Sequence, residues 1–248
     1  MAIQQRIQKI IAQSGLTSRR KAESLIQQGR VKLNEKLAVL GDKACSNDRI
    51  YVDGKEIKTD CVADIQVLLL NKPEDYITTR KDPQGRKSVF ELLPEIDSGR
   101  WISVGRLDIN TSGLLLFTTD GKLANQLMHP SSNIEREYIC RVYGEINKLK
   151  INKIREGIKL DSDKSSAFFK SVAEISSSGR NHWYKVVLTQ GRYREVRRLW
   201  HAVDCQVSRL SRIRYGSIVL PETLKKGEYL HLTEQQIKML HKSISANA

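Results

Sequence analysis

The sequence predicts an α+β protein in two parts: a small N-terminal module of two helices followed by strands, and a larger domain built on a mixed, mainly antiparallel sheet with flanking helices. Three observations predict it. Ile3, Ile7, Ile10 and Ile11 fall at i, i+4, i+7 and i+8, one face of an amphipathic helix, and a second helical pattern follows directly. Beyond residue 65 the apolar runs are four to six residues long, too short for good helices, and they mix with helical patterns without regular βαβ repetition. Residues 58–64 are polar and separate the two patterns, which gives domains 1–62 and 63–248.

In the N-terminal module Gly15 ends the first helix. Ser18 is an N-cap for the second, which runs through Ala22, Leu25 and Ile26 to a stop at Gly29. Val31 and Leu33 then alternate with polar residues as a short strand, and residues 50–57 read as a hairpin around Asp53-Gly54. Arg19, Arg20 and Lys21 cluster at the start of the second helix, where backbone N–H groups favour anions. The cluster reads equally as a phosphate site or as a solvated face.

In the larger domain, residues 65–70 predict a buried strand closed by Asn71-Lys72-Pro73, with residues 76–79 as its neighbour. Residues 80–87 form a turn-rich loop carrying Arg80, Lys81, Arg86 and Lys87, suited to a phosphate backbone or simply exposed. Ser88 caps a short helix to Leu93. Residues 101–104 and 113–117 read as strands flanking a polar turn, and residues 120–128 as a helix stopped by Pro130. A strand over 134–142 carries Tyr138, Asn147 caps a helix to Gly157, and strands follow near 167–175 and 183–188. From Arg194, a helix buries Val196, Leu199, Trp200 and Val203, residues 207–215 resume as a strand, and Thr233 with Gln236 forms a capping box for the last helix, to Ile244.

A formal net charge of +14, from 42 Lys plus Arg against 28 Asp plus Glu, and a pI near 9.7 favour a polyanionic partner. Excess basic residues also serve solubility alone. Cys45, Cys61, Cys140 and Cys205 show no C-x-x-C or His-paired spacing, so reduced structural thiols are expected, with no metal and no disulfide. Residues 1–14 lack the apolar core of a signal peptide, and no stretch approaches the ~18 apolar residues of a membrane span. A cytoplasmic protein with no membrane partner is expected. No Gly-rich dinucleotide-type loop follows a strand, which argues against a nucleoside cofactor.

Asp108 occupies the polar turn between runs 101–104 and 113–117. Read locally it is a turn-former, since Asp and Asn bond their own backbone; such a turn is also where a side chain can be aimed into a cleft. Its wider context points to the second role. Gly-Arg-Leu-Asp at 105–108, followed by Asn-Thr-Ser-Gly-Leu-Leu-Leu at 110–116, resembles the catalytic motif of the RNA pseudouridine synthases, in the branch that modifies ribosomal RNA. Arg136-Glu137-Tyr138 and Gly-Arg-Tyr-Arg-Glu-Val-Arg-Arg-Leu at 191–199 resemble that family's second and third motifs, in the expected order. Residues 6–26 with 29–34 resemble an S4 RNA-binding domain. The resemblance runs from about Arg6 to the C-terminal helix and is closest to the B-type synthases that act on large-subunit rRNA. Many of that type continue into a long basic tail, whereas this chain stops soon after its last helical pattern.

The resemblance implies isomerisation of a uridine in 23S rRNA, free or in a large-subunit assembly intermediate, by a monomer that needs no cofactor. Asp108 is then the catalytic carboxylate, either nucleophile at sugar or base, or base toward a sugar proton. Arg197, by motif position, keeps that carboxylate charged in a partly dry pocket. Tyr138 stacks on the target base, and its hydroxyl helps the proton leave C5; a core tyrosine is the bland alternative. Arg106 fills the space that the flipped uridine vacates, or shapes the turn through an ion pair. RNA contacts fall to Arg6, Lys9, Arg19, Arg20, Lys21 and Arg30 in the S4-like domain. In the larger one they fall to Arg80, Lys81, Arg86, Arg192, Arg194 and Arg198. Two competing readings are a non-catalytic RNA-binding or ribosome-assembly factor and a different S4-bearing enzyme such as a methyltransferase.

Overall fold

The computed structural model describes residues 4–45, 47–57, 65–96, 99–160 and 165–245. It divides into two compact units. One comprises Met1–Gln66 with Pro94–Ile102 and Thr118–Gly121; the other comprises Val67–Leu93, Ser103–Phe117 and Lys122–Ala248.

The first unit runs β1 (Gln5–Arg6), α1 (Ile7–Gln13), α2 (Arg19–Gln27), β2 (Val31–Leu33), β3 (Lys36–Leu37), β4 (Lys43–Ala44), β5 (Ile50–Val52) and β6 (Lys55–Ile57). Its core is Ile7, Ile11, Ala22, Leu25, Ile26, Val31, Ala38, Ala44, Ile50 and Val52, the apolar faces of both helices closed onto the sheet β3-β2-β5-β6. Ser18 caps α2 by accepting the Lys21 N–H at 3.2 Å, an interaction that contributes about 1 kcal/mol. Asp53 and Gly54 both take positive φ, 51° and 78°, which the tight two-residue hairpin requires.

Apart from the terminal residues Ile102, Thr118 and Gly121, the second unit carries β7 (Val67–Lys72), β8 (Ile102–Val104), β9 (Ser112–Thr118), α3 (Gly121–Met128), β10 (Arg136–Tyr143), α4 (Lys148–Glu156), β11 (Ser171–Ser178), β12 (Asn181–Leu188), α5 (Glu195–His201), β13 (Gln206–Tyr215), β14 (Ile218–Val219), β15 (Tyr229–His231) and α6 (Glu234–Ser245). Its sheet is ordered β11-β12-β10-β13-β9-β7-β15, with β14 on β13 and β8 on β9. β7 and β9 are buried along their whole length, which is why they read as continuous apolar runs, whereas β10 alternates and buries Arg136, Tyr138, Cys140 and Val142. The α5 residue Trp200 is fully buried, its ring 4.9 Å from Tyr184 and 6.0 Å from Phe169. β13 pairs with β10 antiparallel and with β9 parallel. The parallel pair needs Gly113, because a Cβ there would lie 2.2 Å from the Arg212 carbonyl oxygen.

The α+β class holds, with mainly antiparallel pairing, and several elements differ locally from expectation. The first helix starts at Ile7, since Gln5 and Arg6 pair with Ala44 and Lys43 as a strand; Ile3 lies outside the described residues. Residues 58–64, where the domain boundary and Cys61 fall, also lie outside them. Ile65 is exposed, and the strand begins at Val67 and extends through Lys72. Residues 76–79 do not form a strand: Ile77 makes a single parallel bridge to Ser88, while Thr78 turns its hydroxyl to the Leu107 backbone. The helix that Ser88 and Glu91 cap is a 3-10 turn, Val89–Leu92. Ala167 makes only a bridge to Ile158, and the strand after it starts at Ser171.

Candidate active site

Asp108 lies on the loop between β8 and β9, its side chain 30% exposed, at the wall of a cavity of about 750 Å³. The cavity belongs to the second unit. Tyr138, only 7% exposed, lines it too. Register places the two together: Tyr138 on β10 stands opposite Arg212 on β13, and Arg212 stands opposite Gly113 on β9, just past the Asp108 loop.

The loop is fixed through its backbone. Each carbonyl from 107 to 111 has a donor. Thr78 Oγ1 donates to the Leu107 oxygen at 3.0 Å and accepts the Leu107 N–H at 3.3 Å. Lys72 Nζ donates to the oxygens of Asp108 (3.1 Å), Ile109 (3.4 Å), Thr111 (2.8 Å) and Pro73 (2.9 Å). The Asp108 oxygen also accepts the Thr111 N–H, and the Ile109 oxygen accepts the Asp75 N–H, both at 3.0 Å. Arg197 Nη2 donates to the Asn110 oxygen at 2.8 Å. Lys72 is fully buried, and burial pushes its ammonium down to about 8, opposed by the negative charges of Glu74, Asp108 and Asp75.

The direct ion pair of Asp108 is with Arg194, Nη1 to Oδ2 at 3.6 Å, and not with Arg197 as the motif position implies. Arg194 is the N-cap of α5 at φ 49°, ψ 32°, a left-handed conformation that costs a non-glycine residue on the order of 1 kcal/mol. Arg197 instead bridges two backbones, donating Nη1 to the Val207 oxygen at 2.6 Å besides Asn110. Burial pushes its guanidinium down from its ordinary value, Arg194 adds to this, and the nearby Asp108 charge opposes it. Arg197 therefore braces the loop from behind.

The turn that presents Arg194 is itself braced. Glu195, 3% exposed, accepts the Arg192 N–H at 2.8 Å, and burial raises its carboxyl above the ordinary range. Buried Arg136 donates to the oxygens of Thr189 and Ile134 and packs its guanidinium over the Tyr215 ring at 5.1 Å.

Residues 66–202, over half of the chain, match the family model described as RNA pseudouridylate synthase. The chain belongs to the RNA pseudouridine synthase family. Residues 5–50 match the S4 domain model. Among curated pseudouridine synthases, the ribosomal large subunit pseudouridine synthase B of Salmonella typhi is 47% identical over 240 residues, which is 95% of this chain and 82% of that protein. The protein of the same name from Escherichia coli (strain K12) is 46% identical over 244 residues, 97% of this chain and 83% of its own. A crystal structure of a pseudouridylate synthase matches with a TM-score of 0.66 at 28% identity, over 95% of this chain and 99% of that one.

Of the basic residues singled out in the pseudouridine synthase motifs, Arg106, Arg192 and Arg194 line the cavity, together with Arg86 from the 80–87 loop. Arg86 is held by Asp82 through two contacts of 3.0 and 2.8 Å, and Arg192 reaches Ser165 and Ser166. Arg80, Lys81 and Arg198 do not line it: Arg80 stacks over Phe90 at 4.1 Å, Lys81 is exposed, and Arg198 donates to the Tyr193 oxygen at 3.4 Å. In the first unit Arg6, Arg19, Arg20 and Lys21 are exposed and Lys9 is half-buried, whereas Arg30 is committed to Asp53 by two contacts of 2.7 Å. Sequence reasoning missed Lys72, Thr78, Glu195 and Arg136. A lysine closing a six-residue run that is otherwise suited to burial was the one available signal for Lys72.

Proposed function

We propose that this pseudouridine synthase isomerises a uridine of large-subunit rRNA, free or in an assembly intermediate, with Asp108 as the catalytic group. The reaction detaches uracil from ribose, rotates it and rejoins it through carbon. It consumes no redox equivalents and is served by one charged carboxylate acting as nucleophile or base. The observation that carries the reading is the carboxylate itself: partly buried in a cavity with Tyr138, paired with Arg194, and held on a loop whose five successive carbonyls are all bonded. Such rigidity suits a group whose effect depends on position to a fraction of an ångström.

In this reading the target uridine leaves its stack, at a cost of a few kcal/mol, and its base lies against the Tyr138 ring. Arg194 pairs with the Asp108 carboxylate, and Arg197 fixes the loop. Arg106, exposed at the cavity wall, occupies the space that the base leaves. Arg19, Arg20 and Lys21 of the S4 module add sequence-independent phosphate contacts. Large-subunit rRNA is favoured as substrate by the names of the relatives that match almost the whole chain. The test is tritium release from C5-labelled uridine in 23S rRNA and in precursor particles. Release from one of these supports the reading; no release from any of them leaves an RNA-binding assembly factor.

A further inference from the structure

Three of the eight tyrosines are exposed, and Tyr193, at 74%, is the barest of them. The other two have partners: the Tyr143 ring lies 5.9 Å from the Arg180 guanidinium, and the Tyr229 ring meets His231 edge-on at 6.1 Å. Tyr193 has no ring or cationic partner among the described residues. It lines the same cavity as Asp108 and Tyr138, within a rim of Arg86, Arg106, Arg192 and Arg194.

Its backbone is as fixed as its ring is bare. Arg198 Nη1 donates to the Tyr193 oxygen, the buried Glu195 carboxylate accepts the preceding residue's N–H, and the following residue is the left-handed Arg194. The flanking guanidiniums have partners of their own, Arg192 at Ser165 and Ser166 and Arg194 at Asp108. A turn held through its backbone thus leaves an aromatic ring largely exposed to solvent at the wall of a basic cavity. Little ordering cost remains when a planar ligand arrives.

We propose that Tyr193 is an RNA-stacking residue, its ring receiving the base of a nucleotide next to the target uridine. The proposal rests on the function assigned above. The chemistry of the occupant follows from the rim, which selects a polyanion, and from the ring, which selects a flat π-face. Flipping the uridine strips one stacking face from each flanking base, and with Tyr138 engaged by the flipped base, Tyr193 is a second aromatic surface at the same cavity. Stacking of this kind tolerates any base, so it contributes affinity without reading sequence.

The test uses the full chain and a short rRNA fragment containing the target uridine, with KM and kcat from turnover and affinity from direct titration. Tyr193→Leu is expected to raise KM and weaken affinity roughly ten-fold, the low end for one stacked base, with kcat within about two-fold. Tyr193→Phe keeps the ring and stays near wild type. Removing one flanking base from the RNA should weaken wild type to the level of the Leu variant and leave that variant unaffected. Unchanged affinity in Tyr193→Leu, or a base-removal effect that multiplies with the substitution, overturns the proposal. Wild type that binds but never turns over removes the assigned reaction instead, and the titration still decides the stacking.

Discussion

Lys72 Nζ donates to the main-chain oxygen of Asp108 at 3.1 Å, although the two residues lie 36 positions apart in the chain. The same ammonium bonds the oxygens of Ile109 and Thr111 on the far side of the turn. One buried charge therefore ties the last residue of β7 to both arms of the Asp108 loop.

Lys72→Met removes that tie but leaves the Asp108 and Ile109 oxygens their main-chain donors, so the fold survives in a weakened state. Loss of stability is expected at about 2 kcal/mol, since buried carbonyls lose a charged donor while the cost of burying an ammonium disappears. Turnover is expected to fall at least about ten-fold, because small displacements of a catalytic group are expensive in rate. Urea denaturation and single-turnover kinetics on one preparation check both. Wild-type kcat in a destabilised variant would make Lys72 a fold residue alone.

The same amine predicts a pH effect with opposite signs in stability and activity. Its folded value of about 8 lies below the unfolded 10.5, so between these the unfolded chain binds more protons and this group's contribution to stability rises with pH. The neutral amine has two N–H donors for four carbonyls, so the loop loosens over the same range. kcat is expected to decline as pH rises through about 8 without a matching fall in the urea midpoint, and Lys72→Met should lack the decline. A decline that persists in the variant belongs to another group.

In the S4 module Arg19, Arg20 and Lys21 are exposed, whereas Arg30 is already paired with Asp53. Changing Arg19, Arg20 and Lys21 to Gln should flatten the slope of log affinity against log salt by about 2, at roughly 0.7–0.9 per lost phosphate contact. Arg30→Gln should leave the slope nearly unchanged. An unaltered slope in the triple variant would remove these residues from the RNA interface.

What the sequence made legible follows from local physics. The short apolar runs around Asp108, the caps at Ser18, Asn147 and Thr233, and the buried face of α5 are set within a few residues and appear as expected. The partner of Asp108 was not legible. Helical spacing counts Arg194 as part of α5, but it is the left-handed N-cap, and that backbone choice turns its side chain toward the carboxylate. Lys72 and Thr78 escaped notice for a related reason. Their partners on the Asp108 loop lie 29 to 39 residues away in the chain, and nothing in a strand-like pattern announces a bond to a distant loop.

The most direct measurement is single-turnover pseudouridine formation by Asp108→Asn on 23S rRNA or its precursor particle, with affinity and urea stability read alongside. The loop is held by its backbone and the Arg194 pair is long and partly exposed, so stability should change by no more than about 1 kcal/mol and affinity should stay near wild type. Asn keeps the size of Asp and one acceptor oxygen but loses the charge, so the rate should fall by several orders of magnitude. Wild-type turnover in Asp108→Asn would contradict the assignment of Asp108 as the catalytic group.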